Sequence, residues 1–79
     1  MSDWTIVILP DVMRALYHMP RDRVAEVSRV IDGLQQVPIP FGARPIEERS
    51  DCYRMIVTGH IVEYELDRDK QQIALLFIG

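Results

Sequence analysis

The side chains able to do chemistry in this chain are few, and most lie in its second half. Arg44, Arg49 and Arg54 can build a cationic patch for a phosphate or a partner carboxylate, against the plainer role of solvated strand arginines. His60 can act as a general acid if a substrate reaches it, and is otherwise a partly exposed turn residue. Glu63 and Glu65 look like a paired acid and base, but residues two apart on a strand normally share one solvated face. His18 has a sufficient explanation as a favourable residue at a helix C-terminus. Two distant histidines and one cysteine make no ligand cluster, so no metal and no cofactor is expected. There is no Gly-rich phosphate loop and no nucleophile elbow.

The stretch that must position these groups is DCYRMIVTGHIVEYELD, Asp51 to Asp67. Its alternation of apolar and polar residues predicts a hairpin of Tyr53 to Thr58 and Ile61 to Asp67, with a tight turn at Thr58-Gly59-His60. Successive side chains on a strand point to opposite faces. Tyr53, Met55 and Val57, with Val62, Tyr64 and Leu66, therefore form the apolar set that packs on helices. Arg54, Ile56, Thr58, Ile61, Glu63 and Glu65 form the other face, which mixes apolar residues, a cation and two carboxylates. Ile56 and Ile61 on that face are candidates for docking a partner, and an unpaired sheet edge could accept an added strand.

The remaining elements follow from pattern. Trp4 to Leu9 is a β-branched run closed by Pro10, which suits an opening strand. Pro10 and Asp11 open a helix whose apolar stripe is Val12, Ala15, Leu16 and Met19, before Pro20 interrupts it. A second helix runs from near Pro20 to about Gln36, with Val24, Val27, Ile31 and Leu34 on one side. Val37 to Pro45 is a proline-rich connection, and a weak strand is expected at Ile46 to Arg49. Gln72 to Ile78 is nearly all apolar, as expected of a strand buried on both sides. The expected fold is α+β, in the order β-α-α-β-β-β-β, with an N-terminal helical hairpin on a mostly antiparallel twisted sheet.

Composition bounds the partners. The 79 residues, 48% hydrophobic, are expected to form a single domain, 1–79, with a core small enough that a homodimer or a stabilising partner would help it. Net charge is −3, which argues against general nucleic-acid affinity. The lone Cys52 fits a reducing compartment, and the first ten residues carry no signal pattern, so a cytoplasmic location is expected. No run approaches the ~20 apolar residues of a membrane span.

WTI at the start, PRDRV at the second helix, GARP after a proline pair, YRMIV and VEYELD occur in an order and spacing that resemble the RelE/ParE superfamily of bacterial and archaeal toxins. The resemblance covers almost the whole chain. It implies a toxin of a type II toxin-antitoxin system, neutralised by a cognate antitoxin. RelE-like members are metal-independent endoribonucleases, mRNA interferases that inhibit translation by cutting messenger RNA on the ribosome; ParE-like members inhibit DNA gyrase.

Carried over residue by residue, the resemblance places Arg54 at the first outward cation position and His60 at a flanking aromatic position, the two catalytic candidates. Arg44, Arg49, Ile56 and Ile61 are the binding candidates, but Ile56 and Ile61 stand where the pattern has cations. The pattern's further C-terminal Arg and Tyr have no counterpart here. Attack by a ribose 2′-OH needs a base, stabilisation of phosphorane-like charge and a donor to the leaving oxygen. Arg54 suits the second task alone. A binding member of the same fold, whether a gyrase inhibitor or an antitoxin-binding remnant, is the alternative expectation.

Overall fold

The computed structural model describes residues 3–79. The elements are β1 (Thr5–Ile8), α1 (Pro10–Tyr17), α2 (Arg21–Gly33), β2 (Arg44–Pro45), β3 (Cys52–Val57), β4 (His60–Asp67) and β5 (Gln72–Ile78). This is the expected order. The strands form one sheet, β1-β5-β4-β3-β2, antiparallel except that β1 joins β5 in parallel. Two helices cover one face of that mixed sheet, α1 against β5 and α2 against β3, which makes the fold α+β.

Local chemistry sets most of the boundaries. Pro10 takes the first position of α1, where its missing N–H leaves nothing unpaired, and Asp11 follows in the first turn. α1 stops at Tyr17, short of the end of its apolar stripe: His18 keeps helical backbone while the turn tightens, Met19 N–H bonding three residues back to Leu16 O, and Pro20 then disfavours helix at Met19. Pro20, at φ −57° and ψ 148°, then turns the chain into α2. That helix ends at Gly33 and not at Gln36. Leu34, Gln35 and Gln36 each donate their N–H to the carbonyl three residues back, the tightened last turn of a helix end. Trp4 N–H bonds to Gln35 O at 2.9 Å and ties this end to the start of the sheet.

Two expectations about strands are corrected. The strand placed at Ile46 to Arg49 is instead Arg44–Pro45, and the following residues form turns. Left-handed backbone at Glu48 and Asp51, φ 73° and 57°, prevents extension there, and Arg49 N–H bonds back to Ile46 O. β5 is not buried on both faces. Its pairing with β4 slips between Glu63↔Phe77 and Tyr64↔Leu75, leaving Leu76 as an extra residue, so Ile73, Leu75 and Ile78 all reach the core. Phe77 remains 47% exposed.

The core holds Val12, Val27, Ile31 and Leu34 of the helical layer against Met55, Val57, Val62, Tyr64, Leu66 and the inward residues of β5. Tyr53 is only half-buried, at the rim. Tyr64 is fully buried, stacks on Tyr53 at 5.9 Å between centroids, and donates its hydroxyl to Pro38 O at 2.7 Å. The proline-rich connection is thereby pinned to the central strand.

Burial, and secondarily Tyr53, pushes the Tyr64 phenol up from 10.0 to about 12. The unfolded phenol loses its proton first, so the folded state binds more protons over that interval and stability falls as pH rises through it. Tyr64→Phe is expected to cost about 1 kcal/mol near neutrality and to remove the phenol's share of the alkaline loss. Urea denaturation of both proteins at pH 8 and pH 11 checks both statements.

Candidate functional site

The face of the sheet away from the helices is the candidate site, and the β3–β4 turn dictates what it displays. Thr58 and Gly59 both have positive φ, 49° and 83°, as a two-residue turn matched to strand twist requires. Val57 then pairs with His60, Ile56 with Ile61, Arg54 with Glu63 and Cys52 with Glu65. On the flanks Arg44 pairs with Arg54, Phe77 with Glu63, and Ala74 with both Glu65 and Val7. Three bands result: Ile56–Ile61, then Arg44–Arg54–Glu63–Phe77, then Cys52–Glu65–Ala74–Val7.

Arg54 is not a free cation. Its Nε donates to Glu63 Oε2 at 2.8 Å, and its Nη2 lies 2.7 Å from the same oxygen. The Arg54 side chain is 53% exposed and that of Glu63 18%. Arg44 stands opposite and exposed, with no ion pair among the described residues. Arg49 lies in the turn before β3, where its charge lowers the Cys52 thiol pKa against larger effects that raise it.

His60 does not join Arg54. Alternation along β4 puts it with Val62 and Tyr64 on the helix side, where its Nε2 is buried with no hydrogen-bond partner among the described residues. The sheet separates the two catalytic candidates. Among the strand residues of the open face there is no imidazole, phenol or lysine. Ile56 and Ile61 do come together as a cross-strand pair, 72% and 38% exposed, with Phe77 beside them, its ring over the Gly79 backbone.

Three features escaped the sequence reading. Phe77 was hidden in a run that looked wholly buried. Glu63 reads in sequence as half of a solvated carboxylate pair, whereas the register set by the two-residue turn makes it the cross-strand partner of Arg54. Met13 and Tyr17, four apart and outside the core stripe of α1, line an apolar groove of about 470 Å³ with Ile8, Leu16, Met19 and Val24. A shallow acidic concavity of about 440 Å³ lies at the other end of the sheet, where Arg68 Nε meets Asp51 Oδ1 at 3.0 Å beside Glu65, Asp67 and Asp69. No group of metal-ligating side chains able to hold an ion occurs among the described residues. No helix of the described residues is long and apolar enough to cross a membrane.

Two helices on one side of a mixed five-stranded sheet, with the other side open, are the fold of RelE toxins. Solved structures make the likeness concrete. A chain of the intact E. coli RelBE toxin-antitoxin complex superposes with a TM-score of 0.85 at 12% identity, over 96% of this chain and 94% of that one. The archaeal RelE–RelB complex from Pyrococcus horikoshii gives 0.80 at 20% identity, over 96% and 92%. The isolated E. coli RelE toxin gives 0.85 at 10% identity, over 96% and 82%. By sequence the chain matches no protein-family model and no curated protein.

Cys52 supplies a check on the rim of this face. It is 4% exposed, and burial followed by the Glu65 carboxylate raises its thiol pKa. Iodoacetamide at pH 8 is expected to alkylate the folded chain at least about tenfold more slowly than the urea-unfolded chain, because the thiolate is the reactive form. Mass spectrometry of timed samples gives both rates.

Proposed function

We propose that this chain is the toxin component of a type II toxin-antitoxin pair that binds a cognate antitoxin and acts on its target by protein contact. The observation that carries the reading is the apolar patch of Ile56, Ile61 and Phe77, exposed beside an arginine already closed by Glu63. Clustered exposed apolar side chains on a sheet favour a protein partner, and an aromatic among them suits an anchor. The likeness to chains solved in toxin-antitoxin complexes supports an antitoxin as one partner. DNA gyrase is the target class the ParE-like branch suggests, and the cytoplasm is the compartment such a pair works in.

Ribosome-dependent cleavage of messenger RNA is the second reading, favoured by Arg44 and Arg54 standing in register. A metal-independent interferase built on this face still lacks a base and a leaving-group donor from the sheet. His60 is on the other side, and Arg54 alone supports only charge stabilisation.

Induced expression in a bacterial host, with growth, amino-acid incorporation and plasmid supercoiling followed for the native chain, Arg54→Ala and Ile56→Asp, tests the proposal. Ile56→Asp is expected to abolish growth arrest and to weaken binding to the protein encoded next door at least about tenfold, or about 1.4 kcal/mol. Arg54→Ala is expected to leave arrest in place. Translation arrest lost in Arg54→Ala and kept in Ile56→Asp would instead establish the nuclease. Abundant, folded, harmless native protein that still binds its neighbour would identify an antitoxin-binding remnant.

A further inference from the structure

The two edges of the sheet are not alike. β2 holds only two residues, one of them Pro45, which has no N–H to offer a further strand. β1 carries none of the usual protections of an exposed edge, since no charge, proline or bulge falls within Thr5–Ile8. Thr5 N–H bonds to Gln71 O at 3.0 Å, and the parallel register with β5 then turns the polar backbone groups of Thr5 and Val7 inward and those of Ile6 and Ile8 outward. Trp4, of the same parity as Ile6, shows the direction: its N–H leaves the sheet and meets Gln35 O. No group among the described residues does the same for Ile6 or Ile8.

Both sides of this edge are apolar. Val7, 37% exposed, lies on the open face, and Leu9 follows it with equal exposure. On the helix side Ile8 continues into the groove lined by Met13 and by Tyr17, which is 82% exposed. A specific interface covers about 800 Å² on each partner, more than a four-residue edge alone provides. The groove and its exposed side chains widen the contact toward that size.

The outward groups are spaced to match themselves. Set antiparallel about Val7, two copies of β1 place Ile6 of each opposite Ile8 of the other, the arrangement in which paired residues exchange N–H and C=O. Both outward residues of both copies are then satisfied. Centring the pair on Ile6 would set Ile8 against Trp4, whose N–H is already taken by Gln35, and centring it on Ile8 would set Ile6 against Pro10, which has no N–H. One register remains, and it opposes Val7 to Val7 with no charge among the strand residues.

We propose that two copies of this chain associate through β1, antiparallel about a two-fold axis at Val7, to form one continuous sheet. The association uses neither the arginine band nor the Ile56–Ile61 pair, so it holds or fails apart from the toxin reading.

Sedimentation velocity of the full chain under reducing conditions, at micromolar concentration, is expected to show a dimer. Val7→Lys sets two ammonium groups against each other in a closely spaced pair and is expected to weaken the dimer at least about tenfold. Thr58→Lys adds the same charge at the β3–β4 turn, across the sheet from this edge, and is expected to change it less than about threefold. Val7→Cys, given a mild oxidant, is expected to cross-link two copies, because the facing Cα atoms lie about 4.5 Å apart, within disulfide reach. Thr5→Cys is displaced from its counterpart by four residues, at least about 13 Å, and is expected to stay unlinked. Cys52 is buried and adds little background.

A native chain that stays monomeric, a dimer indifferent to Val7→Lys, or Thr5→Cys linking as readily as Val7→Cys would overturn the two-fold pairing. A monomer that binds the protein encoded next door, and loses it in Val7→Lys, would assign the edge to that partner and overturn the pairing as well. Should Val7→Lys fold poorly by circular dichroism, the Val7→Cys cross-link still decides.

Discussion

Thr58 and Gly59 hold left-handed backbone between β3 and β4, and the register of those two strands depends on that turn. Once Val57 faces His60, every later pair in the hairpin is fixed, and so is the face each residue occupies. A slip of one residue would carry Arg54 and Ile56 into the helical layer and expose Met55 and Val57. The β-branched Thr58 pays conformational strain for its positive φ, so the register is held by more than the turn. Tyr64, buried and bonded to Pro38, and Met55, Val62 and Leu66 against the helices lock the same alignment from the other side.

That alignment also explains how an acidic chain manages an arginine pair on an open sheet. Cross-strand placement gives Arg54 a carboxylate at hydrogen-bond distance, while Arg44 keeps the other flank. An exposed ion pair of this sort contributes at most about 1 kcal/mol to stability. Its larger effect is on what the surface can receive. The same geometry that brings Arg54 and Glu63 together sets Ile56 against Ile61, so the neutralised band adjoins an apolar one.

Much of this was legible in the sequence. Periodicity identified both helices, and alternation sorted the hairpin into its two faces, because these follow from spacing within a single segment. The misplacements have physical causes. Ile46 to Arg49 reads as a strand until one knows that Glu48 and Asp51 adopt positive φ, which ordinary L residues seldom reveal by type. QIALLFI reads as doubly buried because a bulge at Leu76 lets core residues depart from strict alternation, and nothing in the run marks it. His60 was placed beside Arg54 through resemblance, although the parity of β4 puts it with Val62 on the opposite side. The Arg54–Glu63 bond depends on register: a turn at Thr58-Gly59-His60 leaves it open, whereas Val57 opposite His60 puts Glu63 across from Arg54.

The parallel pairing of β1 with β5 has a consequence for the order in which this chain takes shape. β1 is the first described strand to be synthesised, and β5, which joins it to the rest of the sheet, is the last. While Gln72–Ile78 remains in the ribosomal tunnel, Thr5–Ile8 has no strand to pair with and α1 has no β5 to cover. The hairpin of β3 and β4 can form meanwhile from local contacts, whereas closing β1 onto β5 spans most of the chain and incurs the greater loop entropy. Completion of the sheet is thus coupled to the emergence of its final strand. A nascent chain stalled before that point leaves the apolar residues of β1 and α1 uncovered, available to chaperones or to aggregation.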